Sequence, residues 1–158
     1  EQQVILVDIF DNQIATMGKM EAHLAPHLHR AFSVFVFNKE GELLLQQRAK
    51  HKYHSGGLWS NTCCSHPYPG EVTIDAASRR LQYEMGFTVP LHKAFDFIYK
   101  TSFDNGLIEH EFDHVFVGVY SGIVSPNKHE VQHFCYKSIN EIKEDFLKNP
   151  LQYTAWFI

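Results

Sequence analysis

One amphipathic helix set among strand-like segments constrains the fold of this chain more than any other feature. The helix has a single apolar stripe formed by Ile74, Ala77, Leu81 and Met85. These residues recur at spacings of three and four over residues 73–85, and Gly86 follows as a helix stop. Segments on both sides of the helix have the apolar runs and turn residues of strands joined by hairpins. The pattern predicts a mixed α+β fold.

The other elements are predicted from apolar runs between turn residues. Strands are expected over residues 3–9, 32–37, 43–47, 95–102, 107–120 and 131–137, and a short helical or irregular stretch over 18–25. Hairpin turns are expected at 38–42 and 104–106. Ser138 should cap a helix over 139–147, because Glu141 occupies the capping-box position. The polar segment 48–60 reads as a surface loop, a common carrier of function.

Length and composition narrow the class of protein. A chain of 158 residues is expected to form one domain over 1–158. Apolar residues make up 44% and charged residues 20%, as in folded globular proteins and unlike disordered ones. The formal charge of -4 offers no basic excess for a nucleic-acid backbone. The longest apolar runs, such as 34–37, are too short to cross a bilayer. We therefore expect neither a nucleic-acid partner nor a membrane partner, and no obligate protein partner is evident.

Cysteine usage indicates a reducing compartment. The chain has three cysteines, of which Cys63 and Cys64 are adjacent, and this is a poor framework for disulfides. Residues 1–10 lack the basic start and apolar core of a secretory signal. The expected location is the cytoplasm.

Cys64 and His66 are the first residues that could carry chemistry. In an extended segment they project to the same face, whereas Cys63 faces the other way, as a small core residue would. A thiol beside an imidazole is suited to metal binding or to catalysis. A motif this short is also common without any function, so the spacing alone leaves the choice open.

Two carboxylates on one strand point to a cation. Period two puts Glu109 and Glu111 on the same face, where they repel each other unless a divalent ion lies between them or one is protonated. The alternative is a solvated strand face beside a hairpin turn. Histidines would add nitrogen ligands for a borderline metal such as Zn²⁺ or Mn²⁺, and the candidates are His23, His27, His29 and His66.

The helix carries a further charged pair, Arg80 and Glu84, at i, i+4 spacing. Such a pair is either a surface ion pair worth about 0.3–0.5 kcal/mol or a carboxylate for Mg²⁺ beside a guanidinium for a phosphate. Separate segments offer Lys19, Arg48 and Lys52, and with Arg80 these cations could surround a diphosphate. The sequence alone does not show that they meet.

The helix segment resembles a degraded Nudix box, whose pattern is G-x5-E-x7-R-E-U-x-E-E-x-G-U with U apolar. The matching residues are Glu71, Arg79, Leu81, Glu84, Gly86 and Phe87. Ser65 replaces the opening glycine, and Arg80 and Tyr83 replace two of the glutamates. Nudix hydrolases use that glutamate cluster to bind the metals that activate water, so its loss should cripple hydrolysis.

The same degradation is typical of type 1 isopentenyl-diphosphate isomerases, and nearly the whole chain is similar to that family. Residues 28–33 match the family's Leu-His-x-Ala-Phe-Ser, and residues 59–67 match its Trp-[Thr/Ser]-Asn-[Ser/Thr]-x-Cys-x-His-Pro. The other matches are the modified box at 79–86, Tyr99, the Glu-x-Glu at 109–111 and Trp156. The resemblance implies an α/β/α sandwich with a mixed central sheet. It also implies isomerisation of isopentenyl diphosphate to dimethylallyl diphosphate through a carbocation-like intermediate.

Site roles follow from the resemblance residue by residue. It implies Cys64 and Glu111 as the proton-transfer pair, Tyr99 as a helper of Glu111, and Trp156 facing the developing cation. The implied ligands of one Mn²⁺ or Zn²⁺ ion are His23, His29, His66, Glu109 and Glu111. Glu84 would bind Mg²⁺ that arrives with the small-molecule diphosphate, and the surrounding cations would be Lys19, Arg48, Lys52 and Arg80. The spacing between His23 and His29 leaves His27 as a competitor for the first ligand position.

Two other functions remain open at the level of sequence. One is a Nudix hydrolase acting on a nucleoside diphosphate derivative, which the missing box carboxylates disfavour. The other is a non-catalytic zinc-stabilised binding module, which the lack of a regular Cys-x2-Cys pair disfavours.

Overall fold

The computed structural model describes residues 2–25, 27–52, 54–103 and 105–157. The strands are β1 (Gln3–Val7), β2 (Gln13–Gly18), β3 (His29–Phe37), β4 (Leu43–Arg48), β5 (Trp59–Ser60), β6 (Cys63–Ser65), β7 (His92–Ser102), β8 (Ile108–Val119) and β9 (Val131–Lys137). The helices are α1 (Lys19–Leu24), α2 (Thr73–Met85) and α3 (Ile139–Lys148), and a 3₁₀ turn covers Pro150–Gln152. Within these residues, no helix is both long and apolar enough to cross a bilayer.

The described strands form one mixed sheet organised around β3. β3 pairs in parallel with β8, with His29 opposite Glu111, and antiparallel with the short β6. β7 pairs antiparallel with β8 and puts Tyr99 opposite Glu111. His29, Glu111 and Tyr99 are far apart in the sequence but therefore lie side by side on β3, β8 and β7. The site forms at this place in the sheet.

A different helix packs on each face of the sheet. Along β4, Leu44 belongs to the core cluster that contains Leu81 and Met85 of α2, whereas Leu43 and Leu45 belong to a cluster with Ile142 of α3. Alternate residues of a strand face opposite sides of a sheet, so α2 and α3 cover opposite faces. This arrangement confirms the predicted α/β/α sandwich.

Elements with strong local signals have the predicted bounds. α2 covers the predicted residues and ends at Gly86, whose φ is 79°. β9 also begins and ends as predicted. Before α3, the Ser138 side chain accepts from the Glu141 amide, and the Glu141 carboxylate accepts from the Ser138 amide. The predicted turn at 104–106 includes Asp104, which lies outside the described residues.

Three predictions about strands were wrong in detail. The segment Gln13–Gly18 is a strand that the sequence did not predict, because most of its side chains are exposed and it lacks an apolar alternation. β3 begins at His29 rather than Phe32, because its parallel pairing with β8 includes His29, Arg30 and Ala31, which form no apolar run in the sequence. The predicted hairpin of β3 with β4 is limited to one residue pair, Phe37 with Leu43, and β4 pairs along its length with β9.

Candidate active site

One cavity gathers most of the candidate residues. Those that line it are Lys19, Arg48, Lys52, Cys64, His66, Arg80, Glu84, Glu109, Glu111 and Trp156. His23 and His29 are fully buried and contact this set through Glu109 and Glu111. A single site thus contains side chains from β3, β4, β6, β8, α1 and α2.

The imidazoles converge through their Nε2 atoms. His66 Nε2 lies 2.9 Å from Glu111 Oε2 and 3.2 Å from His29 Nε2. His29 Nε2 also lies 3.5 Å from the same carboxylate oxygen. The Nδ1 atoms of two of these rings contact backbone carbonyls. His29 Nδ1 lies 3.0 Å from the carbonyl oxygen of His27, and His23 Nδ1 lies 2.7 Å from that of Lys19. An Nδ1–H that donates to a carbonyl leaves the Nε2 lone pair available to a metal.

This cluster has the chemistry of a divalent metal site. The ligand atoms of four buried side chains lie within 4.8 Å of one another, and the residues are His23, His29, His66 and Glu111. Burial lowers the pKa of His66 to about 4, against the opposing effect of Glu111. A neutral imidazole is a metal ligand, and adjacent lone pairs repel unless a cation lies between them. The donor set of nitrogen and carboxylate oxygen fits a borderline divalent ion.

The structure distinguishes between the two competing histidines. His23 is fully buried, and its Nε2 lies 3.7 Å from Glu109 Oε2. His27 is exposed and contributes its backbone carbonyl, which accepts from His29. Within the described residues, His23 is therefore the one of the two that reaches the cluster.

Cys64 faces the cavity from β6, whereas Cys63 is buried in the main core, as the strand pattern predicts. The Cys64 thiol lies 3.1 Å from Asn61 Oδ1 and 3.7 Å from Ser33 Oγ. Burial raises the pKa of the Cys64 thiol, and the nearby Asp113 adds to the shift. The thiol is therefore protonated at neutral pH and has a proton to donate.

The other end of the cavity is rich in cations. Arg80 donates to Glu130 Oε1 at 3.1 Å, and Lys52 Nζ lies 2.5 Å from the same oxygen. Burial lowers the pKa of Lys19 to about 8, and the neighbouring Lys52, Arg80 and Arg48 charges lower it further. Mutual repulsion among cations in a buried site is relieved by an anion, so this end of the cavity is suited to a phosphate group.

The degraded box leaves one carboxylate facing this end of the cavity. Glu84 is buried and accepts from Arg80 Nε at 2.8 Å and from Gln46 Nε2 at 2.9 Å. Tyr83 is 49% exposed, and Arg80 occupies the other substituted position. Glu71 is bound by Arg79 at 2.8 and 3.0 Å. Among the described box positions, only Glu84 thus places a carboxylate in the cavity lining.

Of the two aromatic candidates, Trp156 lines the cavity and Tyr99 does not. Trp156 lines the cavity, donates from Nε1 to Ser60 Oγ at 3.0 Å, and has the Arg48 guanidinium carbon 5.0 Å from its ring centre. Tyr99 lies opposite Glu111 in the β7–β8 register but is not among the described residues that line the cavity. Burial raises the pKa of Tyr99, and Glu109 strengthens the effect, so its hydroxyl is protonated at neutral pH.

Sequence reasoning missed three titratable residues of the cavity lining, His54, Glu130 and Asp113. Asp113 accepts from Ser33 Oγ at 2.8 Å, and the same hydroxyl lies 3.7 Å from the Cys64 thiol. It continues the period-two face of Glu109 and Glu111, and that spacing was a usable signal. His54 and Glu130 lie in loops and had no pattern that could distinguish them.

Comparisons with known proteins agree with this architecture. A family model described as a NUDIX domain matches residues 27–157. A solved structure from Deinococcus radiodurans is similar with a TM-score of 0.79 at 14% identity, covering 94% of this chain and 90% of that one. The MutT protein from Methanosarcina mazei Go1 is similar with a TM-score of 0.65 at 18% identity, covering 74% of this chain and 81% of that one. The fold is therefore that of the NUDIX class.

Curated relatives narrow the class. Isopentenyl-diphosphate Delta-isomerase 2 of Aromatoleum aromaticum is 53% identical over 156 residues, which cover 99% of this chain and 82% of the relative. Isopentenyl-diphosphate Delta-isomerase of Pectobacterium atrosepticum is 52% identical, with 98% of this chain and 87% of the relative covered. The chain therefore belongs to the NUDIX family and, within it, to the isopentenyl-diphosphate Delta-isomerases.

Proposed function

We propose that this chain is an enzyme of isoprenoid biosynthesis that isomerises isopentenyl diphosphate to dimethylallyl diphosphate. The observation that carries the proposal is one cavity with a protonated thiol and a metal-type His/Glu cluster beside a group of cations. The names of the relatives at 53% and 52% identity support the same reaction. The cations would bind the diphosphate, and the thiol and carboxylate would act on the hydrocarbon part.

The reaction requires one proton to be added and another removed. Protonation of the terminal alkene carbon gives a tertiary carbocation, and loss of a proton from the carbon nearer the diphosphate forms the new double bond. An acid and a base placed beside the alkene catalyse these steps. We assign the two roles to Cys64 and Glu111, which both line the cavity.

Two aromatic residues would support this pair. The face of an indole stabilises a nearby cation by about 2 kcal/mol or more when water is excluded, and Trp156 lines the cavity. Tyr99, opposite Glu111 in the sheet, would assist that carboxylate with its protonated hydroxyl. Exclusion of water also protects the cation from capture as an alcohol.

We propose that two kinds of divalent ion serve the reaction. The residues that would hold a tightly bound Mn²⁺ or Zn²⁺ are His23, His29, His66, Glu109 and Glu111. Glu84 would hold Mg²⁺ that accompanies the diphosphate, and the residues around that group would be Lys19, Arg48, Lys52 and Arg80. Such ions supply positive charge that fixes the ligands and balances the anionic substrate. The three free cysteines support a reducing, cytoplasmic location.

The product distinguishes this reaction from hydrolysis. Incubation with isopentenyl diphosphate and Mg²⁺ is expected to give dimethylallyl diphosphate with both phosphates intact. Phosphorus NMR of the reaction mixture measures this outcome. A nucleotide hydrolase would instead release phosphate from a nucleoside diphosphate derivative, and the substitutions at Arg80 and Tyr83 argue against that activity. Release of phosphate without isomerisation would contradict the proposal.

Glu84→Gln is expected to weaken the use of Mg²⁺ and of the diphosphate while leaving the tight metal in place. The amide keeps the shape but removes the charge that faces Arg80 and the cavity. We expect the Mg²⁺ concentration for half-maximal rate to rise about tenfold, the effect of about 1.4 kcal/mol. Glu71→Gln is the matched control, because Glu71 contacts Arg79 and does not line the cavity. Loss of the tight metal from Glu84→Gln would place Glu84 in the His/Glu cluster instead.

Diphosphate capture is expected to weaken as pH rises through about 8, the pKa of Lys19 in the free protein. Below that pH Lys19 is charged and attracts the anion, and above it this attraction is lost. Values of kcat/KM report the free enzyme, so they should fall by about tenfold, or about 1.4 kcal/mol, between pH 7 and 9.5. Lys19→Arg should move the decline upward because a guanidinium stays charged.

The control for this pH profile is Lys93→Arg, at an exposed lysine paired with Asp96 outside the cavity. It should leave the profile unchanged. A decline that Lys19→Arg does not shift would show that another group titrates.

A further inference from the structure

His54 is a buried side chain in a polar loop. It lies between β4 and β5 and is 6% exposed, whereas His51 in the same loop is exposed. Its ring stacks on Phe103 at 4.4 Å with an interplanar angle of 11°, and meets Trp156 edge-on at 5.6 Å. These contacts pack the ring between two aromatic side chains, and its Nε2 faces Glu109 of the His/Glu cluster.

The Nε2 atom of His54 reaches that cluster. It lies 3.3 Å from Glu109 Oε2, closer than His23 Nε2, which lies 3.7 Å from the same oxygen. The ligand atoms of His23, His54 and Glu109 all lie within 4.8 Å of one another. This is the same distance limit that groups His23 with His29, His66 and Glu111. The cluster therefore consists of two overlapping donor sets that share His23.

His23 cannot serve a separate ion in each set. Its Nδ1 lies 2.7 Å from the carbonyl oxygen of Lys19 and donates to it, so only Nε2 has a lone pair for a metal. One lone pair binds one ion. The two sets must therefore either compete for His23 or supply a common ion with their ligands.

We infer that His54 is a sixth protein ligand of the tightly bound metal, together with the five residues of the proposed His/Glu centre. The inference rests on that proposed centre. Four imidazole nitrogens and two carboxylates would complete an octahedral shell, a geometry that first-row divalent ions such as Mn²⁺ accept. The loop that carries His54 also carries Lys52, and His54 packs on Trp156. Metal binding would thus fix two further parts of the cavity.

The test compares His54→Ala with His51→Ala, the exposed histidine of the same loop. Metal-free proteins are loaded with Co²⁺, and affinity is measured by competition with a chelator. X-ray absorption then counts the imidazole ligands. We expect one Co²⁺ and four imidazoles in the unmodified protein and in His51→Ala. His54→Ala should hold one Co²⁺ with three imidazoles and about 10- to 100-fold lower affinity.

Several outcomes would overturn the inference. An unchanged imidazole count in His54→Ala would make His54 a hydrogen-bond partner of Glu109 rather than a ligand, even with a lower affinity. Two tightly bound ions in the unmodified protein would show two separate sites. If His54→Ala fails to fold without metal, His54→Gln, which keeps a polar side chain in the same position, provides the count.

The same data separate this inference from the proposed metal centre. An unmodified protein that binds no Co²⁺ tightly would contradict the centre itself. A protein with one tightly bound ion and three imidazoles would leave the centre intact and exclude His54.

Discussion

Cys64→Ala is expected to lower kcat for isomerisation by about 10³-fold, within the 10²- to 10⁴-fold range of acid–base catalysis by one group. The variant loses the protonated thiol that faces the cavity, and a methyl group offers no proton in its place. KM should change little, because the diphosphate contacts lie on other segments. The measurement is steady-state formation of the allylic product, with circular dichroism as a check on folding.

The control is the adjacent residue. Cys63→Ala alters a buried core side chain on the opposite face of β6 and should keep most of the activity. If Cys63→Ala were the inactive variant and Cys64→Ala the active one, the assignment of the acid would be wrong.

Glu111→Gln is expected to retain metal and substrate but to lower kcat by about 10³-fold, because an amide has no exchangeable acid proton for the reaction. An amide oxygen still ligates, and the remaining ligands stay in place. Glu109→Gln should chiefly weaken metal binding and regain turnover when metal is added in excess. His110→Ala should have a small effect, because period two turns this residue away from both carboxylates.

The readout for these variants is bound metal together with deuterium uptake from solvent into isopentenyl diphosphate. Near-normal exchange and isomerisation by metal-loaded Glu111→Gln would make Glu111 a ligand only. Tyr99 would then be the first candidate for the second proton carrier.

Local signals in the sequence predicted the elements that local interactions define. The stripe of α2 and its glycine stop need only neighbouring residues, and so does the capping box of Ser138 and Glu141. β2 was not predicted because its mostly exposed side chains show no alternation of apolar and polar residues. Its pairing with β1 stabilises it instead. The partner of β3 was also missed, since the parallel ladder with β8 joins segments far apart in the chain. That residues 1–158 form one domain stays a prediction.

The candidate site was predictable where it carried family motifs. Cys64, His66 and the Glu109–Glu111 pair stood out by spacing, and the fold brings them to one cavity. Their catalytic and ligand roles stay predictions. His54 and Glu130 lie in loops whose positions depend on tertiary packing, so no spacing in the sequence could reveal them. Glu130 contacts Lys52 and Arg80, and neither contact is local.

In the proposed function, this cavity transfers protons to and from an alkene while the diphosphate stays intact. Incubation of the protein with isopentenyl diphosphate and Mg²⁺ in deuterium oxide tests it directly, with the product analysed by NMR. We expect dimethylallyl diphosphate with deuterium in a methyl group and no release of phosphate. Unchanged substrate without deuterium, or free phosphate without the allylic isomer, would contradict it.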